Sequence, residues 1–324
     1  MSGGFVNVIW ALVKALLVLG FILLNALLLI WAERKVAGHI QQRPGPNRLG
    51  PFGLFQTFAD ALKLLFKEDV IPAAADRVLF VLAPIVTFAS GVLVYVVIPW
   101  TPDIVVRDLN IGLIYVAAAS SFMVISFLMA GWSSNNKWSL LGAMRSAAQL
   151  VSYEVPLALA VVSTAILAGS LSLYDIVQAQ AEWGVWFIVL QPVGWLVFLI
   201  ATLVELNRGP FDMPESESEL VAGFNTEYSG MRWAIFFLTE YASLTAAGAL
   251  NAILFWGGWL GPSFLPPAAW MLIKVYGFVF FAMWIRWTFP RIRVDHLMGM
   301  GWKVLIPAGV VQLLATSAIV LIWG

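Results

Sequence analysis

Eight stretches of about 20 predominantly apolar residues recur along this 324-residue chain, near positions 5–31, 78–99, 111–131, 153–169, 185–206, 233–256, 269–288 and 303–323. A helix of that length matches the roughly 30 Å hydrocarbon layer of a bilayer. The expected fold is therefore all-α integral membrane, with about eight transmembrane helices. Composition agrees, because 61% of residues are hydrophobic and 11% are charged, against roughly 25% charged in soluble domains. The first run is too long for a cleaved signal, lacks a basic start, and passes into "WAERKVAG" without a small-residue cleavage site. No tandem repeat or low-complexity tract interrupts the pattern, so residues 1–324 are expected to form a single transmembrane domain. Its longer polar connections fall at 32–77, 132–152, 207–232 and 289–302.

Missing residue types narrow the chemistry. A formal net charge of zero gives no sign of a nucleic-acid partner. Zero cysteines exclude disulfides, thiol catalysis and a cysteine-ligated iron–sulfur cluster in this chain. A b-type haem needs axial ligands on spanning helices, whereas His39 and His296 are expected in polar connections. Any electron carrier belongs elsewhere.

Lysine and arginine set the orientation. Fifteen of the eighteen fall on one side. Arg34, Lys35, Arg43, Arg48, Lys63, Lys67 and Arg77 follow the first span, and Lys137 and Arg145 the third. Arg208 and Arg232 follow the fifth, and Arg286, Arg291, Arg293 and Lys303 the seventh. The positive-inside rule predicts that this side is cytoplasmic and that both termini face the other way. Lys14 and Lys274, within spans but near their outer ends, are expected to snorkel to the interface.

That cytoplasmic side also holds "PFDMPESESELVAGFNTEYSG" (210–230), which packs Asp212, Glu215, Glu217, Glu219 and Glu227 between two apolar spans. Carboxylates at this spacing repel one another, which raises the pKa of any that are not fully solvated. Pro214 suits a first helical turn, and Ser216 with Glu219 fits a capping box, so a short helix is expected here with Glu215 and Glu219 on one face. A solvated acidic loop is the alternative. Three further acids favour the first reading: Glu154 in "SYEVPLAL", Glu205 in "TLVELN" and Glu240 in "FFLTEYASL". A charge within a span costs roughly 2.5–3.5 kcal/mol near the bilayer centre, so such residues face a bundle interior or a wet path. Together these acids suggest a file of protonatable groups leading from the loop into the bundle. The alternative for Glu240 is a neutral acid hydrogen-bonded to a neighbouring helix.

A second constellation follows the first span. "RPGPNRLGPFG" stacks prolines against glycines and predicts a stiff turn. In the following "LFQTFADALKLLFKED", Phe55, Phe58, Leu62, Leu65 and Phe66 share one helical face, while Gln56, Asp60, Lys63 and Lys67 mark the other. At about 14 residues this is too short to span, and it predicts a cytoplasmic-side amphipathic helix lying in the interface. Such a helix anchors a loop, or walls a portal through which a lipid-soluble substrate leaves the bilayer, with Arg34, Arg43 and Arg48 near its polar head.

Three long segments carry a resemblance: "ERKVAGHIQQRPGPNRLGPFGLFQTFADALKLLFKED", "AGWSSNNKWSLLGAMRSAAQLVSYE" and "ELNRGPFDMPESESELVAGFNTEYSGMRWAIFFLTEY". In this order they resemble the H-subunit family of bacterial respiratory complex I, the proton-translocating NADH:quinone oxidoreductase. The resemblance runs from about residue 33 to 303. It implies the heel of the membrane arm, a non-redox component that is inactive alone and builds much of the chamber where quinone, the substrate, is reduced. No cofactor is implied for this chain: iron–sulfur clusters and FMN belong to partner subunits. Those partners are cluster-bearing peripheral-arm subunits and small and antiporter-like membrane subunits, in a bacterial cell inner membrane with both termini periplasmic. Chamber and portal residues carried over by position are Arg34, Arg48, Phe52, Phe55, Asp60 and Phe224. Proton-coupling carboxylates carried over are Glu154, Glu205, Asp212, Glu215, Glu217, Glu219, Glu227 and Glu240. Metal ligands and catalytic residues are not expected.

Three rival functions compete. A secondary cation transporter would use the same buried acids, but no inverted repeat or matched pair of Gly/Pro-broken spans is visible. An intramembrane prenyltransferase would want paired Asp-rich magnesium motifs, and "DMPESESE" lacks their spacing. A paralogous heel component of a membrane-bound hydrogenase or of a ferredoxin- or formate-linked complex is closer, and the full interfacial helix and intact acidic segment favour the quinone enzyme over it.

Overall fold

The computed structural model describes the backbone of residues 2–214 and 217–323, and the side chains of 9–214 and 219–322. Among the described residues there is no strand. The helices are α1 (Ser2–Ile40), α2 (Gln56–Leu65), α3 (Arg77–Val94), α4 (Gly112–Ser133), α5 (Lys137–Ala168), α6 (Leu173–Trp183), α7 (Phe187–Leu190), α8 (Pro192–Glu205), α9 (Glu217–Leu220), α10 (Gly230–Phe255), α11 (Pro267–Thr288), α12 (Val294–Met300) and α13 (Ile306–Trp323). Among the described residues, seven segments are long and apolar enough to cross a membrane. This is a multi-pass membrane protein.

The remaining expected span, 185–206, is broken. At Gln191 the backbone leaves the helical region (φ −131°, ψ 55°), and Pro192 restarts the helix as α8. Alone, α8 reaches about 21 Å at 1.5 Å per residue; with α7 the segment reaches about 28 Å. A polar break is tolerable here because the Gln191 amide donates to Ser163 O (2.9 Å) and Thr316 Oγ1 (3.0 Å).

Two helices outrun their apolar runs. The helix α1 continues to Ile40, so Glu33, Arg34, Lys35 and His39 lie on it. Most of the expected connection at 132–152 belongs to α5, which Asn136 caps by accepting from Trp138 N (2.9 Å). Hydropathy misses this stretch because its buried face is small and polar: Ser139, Gly142, Ala143 and Ser146. His296 likewise sits on a short helix, α12.

At the centre lies α10, whose residues from Tyr241 to Phe255 are almost all buried. It packs on α3, α11 and α1, while α5 packs on α4, α8 and α13. Lys274 donates to three backbone carbonyls, Trp256 O (2.6 Å), Gly258 O (2.8 Å) and Leu260 O (2.6 Å), in the connection after α10. An ammonium there complements the negative end of the α10 dipole. Lys14 reaches Val106 O (3.1 Å). Both lysines therefore extend to the outer connections.

The turn after α1 folds tightly onto itself. Gly53 has φ +76°, and a Cβ there would lie 2.1 Å from Pro46 O, so only glycine fits. The interfacial helix α2 spans 10 residues, shorter than the expected 14.

Candidate functional site

At the end of the bundle where most basic residues lie, four elements deliver charge to one buried point. The overrun of α1 carries Glu33, the turn leaving α8 carries Arg208, α10 carries Glu240 and Tyr241, and α11 carries Arg286. Arg208 Nη1 donates to Glu33 Oε2 (2.9 Å), Arg286 Nη1 to Glu33 Oε1 (2.8 Å), and Tyr241 OH to Glu33 Oε2 (2.8 Å). Glu240 Oε1 lies 2.8 Å from Arg208 Nε and 3.5 Å from Arg286. The Arg208 Nε contact is ionic and off the N–H line, and Nη2, also buried, has no hydrogen-bond partner among the described residues. The Arg208 guanidinium also stacks 4.4 Å over the Tyr241 ring.

Two carboxylates and two guanidiniums balance in charge. Burial alone would lower the pKa of Arg208, which is 1% exposed; Glu240 and then Glu33 more than offset that and hold it above the usual arginine range. Glu240 thus lies within ion-pairing distance of both guanidiniums. The sequence reading missed Glu33, Arg208, Arg286 and Tyr241 as a group. Four charges near helix ends at one level were the available signal, but Glu33 and Arg208 read as part of polar connections.

Glu154 and Glu205 line a second feature, a cavity of about 230 Å³ among α3, α4, α5, α8 and α10 with mostly apolar walls. Ser121 Oγ donates to Glu154 Oε1 (2.6 Å). Thr202 also borders the cavity, and its buried Oγ1 has no hydrogen-bond partner among the described residues. Glu205 is three residues from Arg208. Gln149 pins the turn between them, its Nε2 donating to Val204 O (2.9 Å), Asn207 Oδ1 (3.1 Å) and Phe211 O (3.1 Å). The cavity and the charge cluster therefore share one rigid turn.

The acidic segment disperses. Asp212 lies 3.4 Å from Arg291, Glu219 pairs with Arg145 (2.6 Å), and Glu227 accepts from Asn136 Nδ2 (2.6 Å). Glu215 and Ser216, and with them the expected capping box, lie outside the described residues, as does the side chain of Glu217, which opens the one-turn α9. Among the described carboxylates, Glu33 and Glu240 meet the two arginines, Glu154 and Glu205 line the cavity, and Asp212, Glu219 and Glu227 each have a partner of their own. The segment is fixed where Gly223 meets α5: a Cβ on Gly142 would sit 2.6 Å from Gly223 Cα. Phe224 is buried, with ring centroids 4.4 Å from Phe127 and 5.5 Å from Phe236. Tyr228 stacks 4.0 Å on Phe80, and burial pushes its phenol up to about 12.

The remaining expected residues meet around α2. Arg34 pairs with Asp60, which also accepts from Gln56 Nε2 (3.2 Å), and Trp31 Nε1 donates to Phe52 O (3.1 Å). Arg48, Phe52 and Phe55 are exposed. Phe55 continues into an exposed apolar face with Phe58, Leu62, Leu65 and Phe66. Among the described residues no three His, Asp or Glu side chains converge as a metal-binding group.

Comparison with known proteins covers nearly the whole chain. The family model described as NADH dehydrogenase matches residues 13–317. Among curated relatives, the H subunit of NADH-quinone oxidoreductase from Anoxybacillus flavithermus is 52% identical over 310 residues, 94% of this chain and 91% of the relative. The protein of the same name from Brevibacillus brevis is 50% identical over 316 residues, 96% and 94% of the two chains. That of Dehalococcoides mccartyi (strain CBDB1) is 50% identical over 311 residues, 96% and 87%.

Proposed function

This chain belongs to the NADH dehydrogenase family that includes the H subunit of NADH-quinone oxidoreductase, and from that premise we propose that it couples quinone reduction to proton translocation in the assembled enzyme. The observation that carries the proposal is the joining of a carboxylate-lined cavity to a buried four-charge cluster through the 205–208 turn. Reduction of a quinone takes two electrons and two protons to give the quinol. The electrons come from clusters in partner subunits, and this chain contributes the wall of the chamber and the local field.

On this reading, Arg34, Arg48, Phe52, Phe55, Asp60 and Phe224 belong to the chamber and portal. The exposed apolar face of α2 supports that role for a lipid-soluble tail, and the Arg34–Asp60 pair ties the portal wall to α1. The carboxylates divide the remaining work. A negative charge arising at the quinone shifts the electrostatic balance among Glu33, Glu240 and the two arginines, which lie within ion-pairing distance of one another. Because Arg208 shares a turn with Glu205, a displacement there moves the cavity acid. Asp212, Glu215, Glu217, Glu219 and Glu227 would then connect the chamber to that turn, on the cytoplasmic side.

Replacing Glu240 by Gln in the assembled enzyme, with Glu240→Asp as the charge-preserving control, tests this. Quinone reduction and proton pumping are to be measured separately. A loss in the Gln variant that the Asp variant restores supports the role; wild-type rates in both assays refute it for that position.

A further inference from the structure

A recess between α1 and α11 plays no part in the reading above. It has a volume of about 520 Å³ and is lined by Lys35, Val36, His39 and Ile40 of α1 and by Phe280 and Trp284 of α11. Lys35 and His39 are four residues apart and so share a face of α1; Phe280 and Trp284 are likewise paired on α11. Both aromatic side chains are exposed, at 55% and 53%. The recess is thus divided, with a polar edge toward the ends of the helices and an apolar bed toward the membrane interior.

The positive charge at its edge lacks an acidic partner among the described residues. The Lys35 ammonium meets Asn47 Oδ1, a neutral acceptor. The nearby acids are committed elsewhere, Glu33 to Arg208 and Arg286 and Asp60 to Arg34. His39 Nδ1 is bonded to Lys35 O (2.8 Å), which fixes the ring hydrogen on Nδ1.

We propose that this recess is a binding site for one anionic phospholipid, whose phosphate sits against Lys35 and His39 and whose acyl chains lie on Phe280, Trp284, Val36 and Ile40. Charge complementarity and depth both select that occupant. An uncharged isoprenoid or a zwitterionic lipid would leave the ammonium uncompensated. A free phosphate would leave the aromatic bed empty.

The test uses the intact complex reconstituted in phosphatidylethanolamine vesicles doped with a diazirine-tailed phosphatidylglycerol. After illumination, cross-links are mapped by peptide mass spectrometry. The expected result is labelling of segments 35–40 and 280–284. Labelling should fall about 30-fold in the Lys35→Gln/His39→Gln variant, the combined effect of two basic groups at an anionic surface, and should persist in Lys35→Arg. Equal labelling by a diazirine-tailed phosphatidylcholine overturns the proposal, as does labelling unchanged in the double variant. Failure of the double variant to assemble also overturns it, because the two side chains would then serve a protein contact.

Discussion

Removing Arg208 and Glu33 together should destabilise the protein by clearly less than the sum of removing each singly. Arg208 is fully buried and bonds Glu33 at 2.9 Å and Glu240 at 2.8 Å. At an effective dielectric near 20, one such contact carries about 5–6 kcal/mol of gross attraction, most of which desolvation offsets. Breaking a buried pair by deleting one member costs about 3–5 kcal/mol, because the other charge stays behind. Arg208→Gln leaves two carboxylates facing Arg286, and Glu33→Gln leaves two guanidiniums facing Glu240. In the double variant one acid and one base remain, 3.5 Å apart. A coupling of about 2 kcal/mol is expected, within the range for residues in one network. The assay is the rate at which the purified complex loses NADH:quinone reductase activity at a fixed elevated temperature. Each single variant should accelerate inactivation by up to about 100-fold or more, and the double variant by at least about tenfold less than the product of the two. A double variant whose acceleration equals that product would refute the network.

Other expectations follow from single contacts. Gly142→Ala would force its Cβ to within 2.6 Å of Gly223 Cα, so the 221–228 segment must move; a destabilisation of about 1–3 kcal/mol is expected, visible as a lower melting temperature of the assembled enzyme. Leu62→Trp on the exposed face of α2 should raise the apparent KM for long-tailed quinones and leave short-tailed ones unaffected; an unchanged KM removes the portal reading. Because the folded-state pKa of Arg208 is raised, its stabilising contribution is complete below the ordinary arginine range and is lost only at still higher pH. The difference in inactivation rate between wild type and Arg208→Gln should therefore stay constant across the neutral and mildly alkaline range. A difference that shrinks by pH 9 would contradict the assignment.

The sequence displays spans more clearly than charges. Long apolar stretches announce α3, α10 and α11, because a helix within the bilayer must be apolar both where it meets lipid and where it packs in the bundle. The start of α5 is concealed because close packing against α4 and the 221–228 segment selects Ser139, Gly142 and Ala143, small residues with little hydropathy. Glu240 and Glu205 stand out as acids inside apolar text. Glu33 and Arg208 do not, since each adjoins other polar residues, and only the packing of α1 against α10 and α11 brings them together. The grouping of the carboxylates was likewise hidden. Adjacent acids in 212–227 find separate partners on α5, at its N-cap and after α11, whereas Glu154 and Glu205, 51 positions apart, border one cavity.

The most direct measurement of the proposed coupling is the number of protons translocated per quinone reduced in proteoliposomes containing the whole complex, with Glu205→Gln compared with wild type. A cavity acid that belongs to the coupling route should, when neutralised, lower quinone reduction and pumping together, or lower the proton-to-quinone ratio. Wild-type values of both the rate and the ratio would contradict the account.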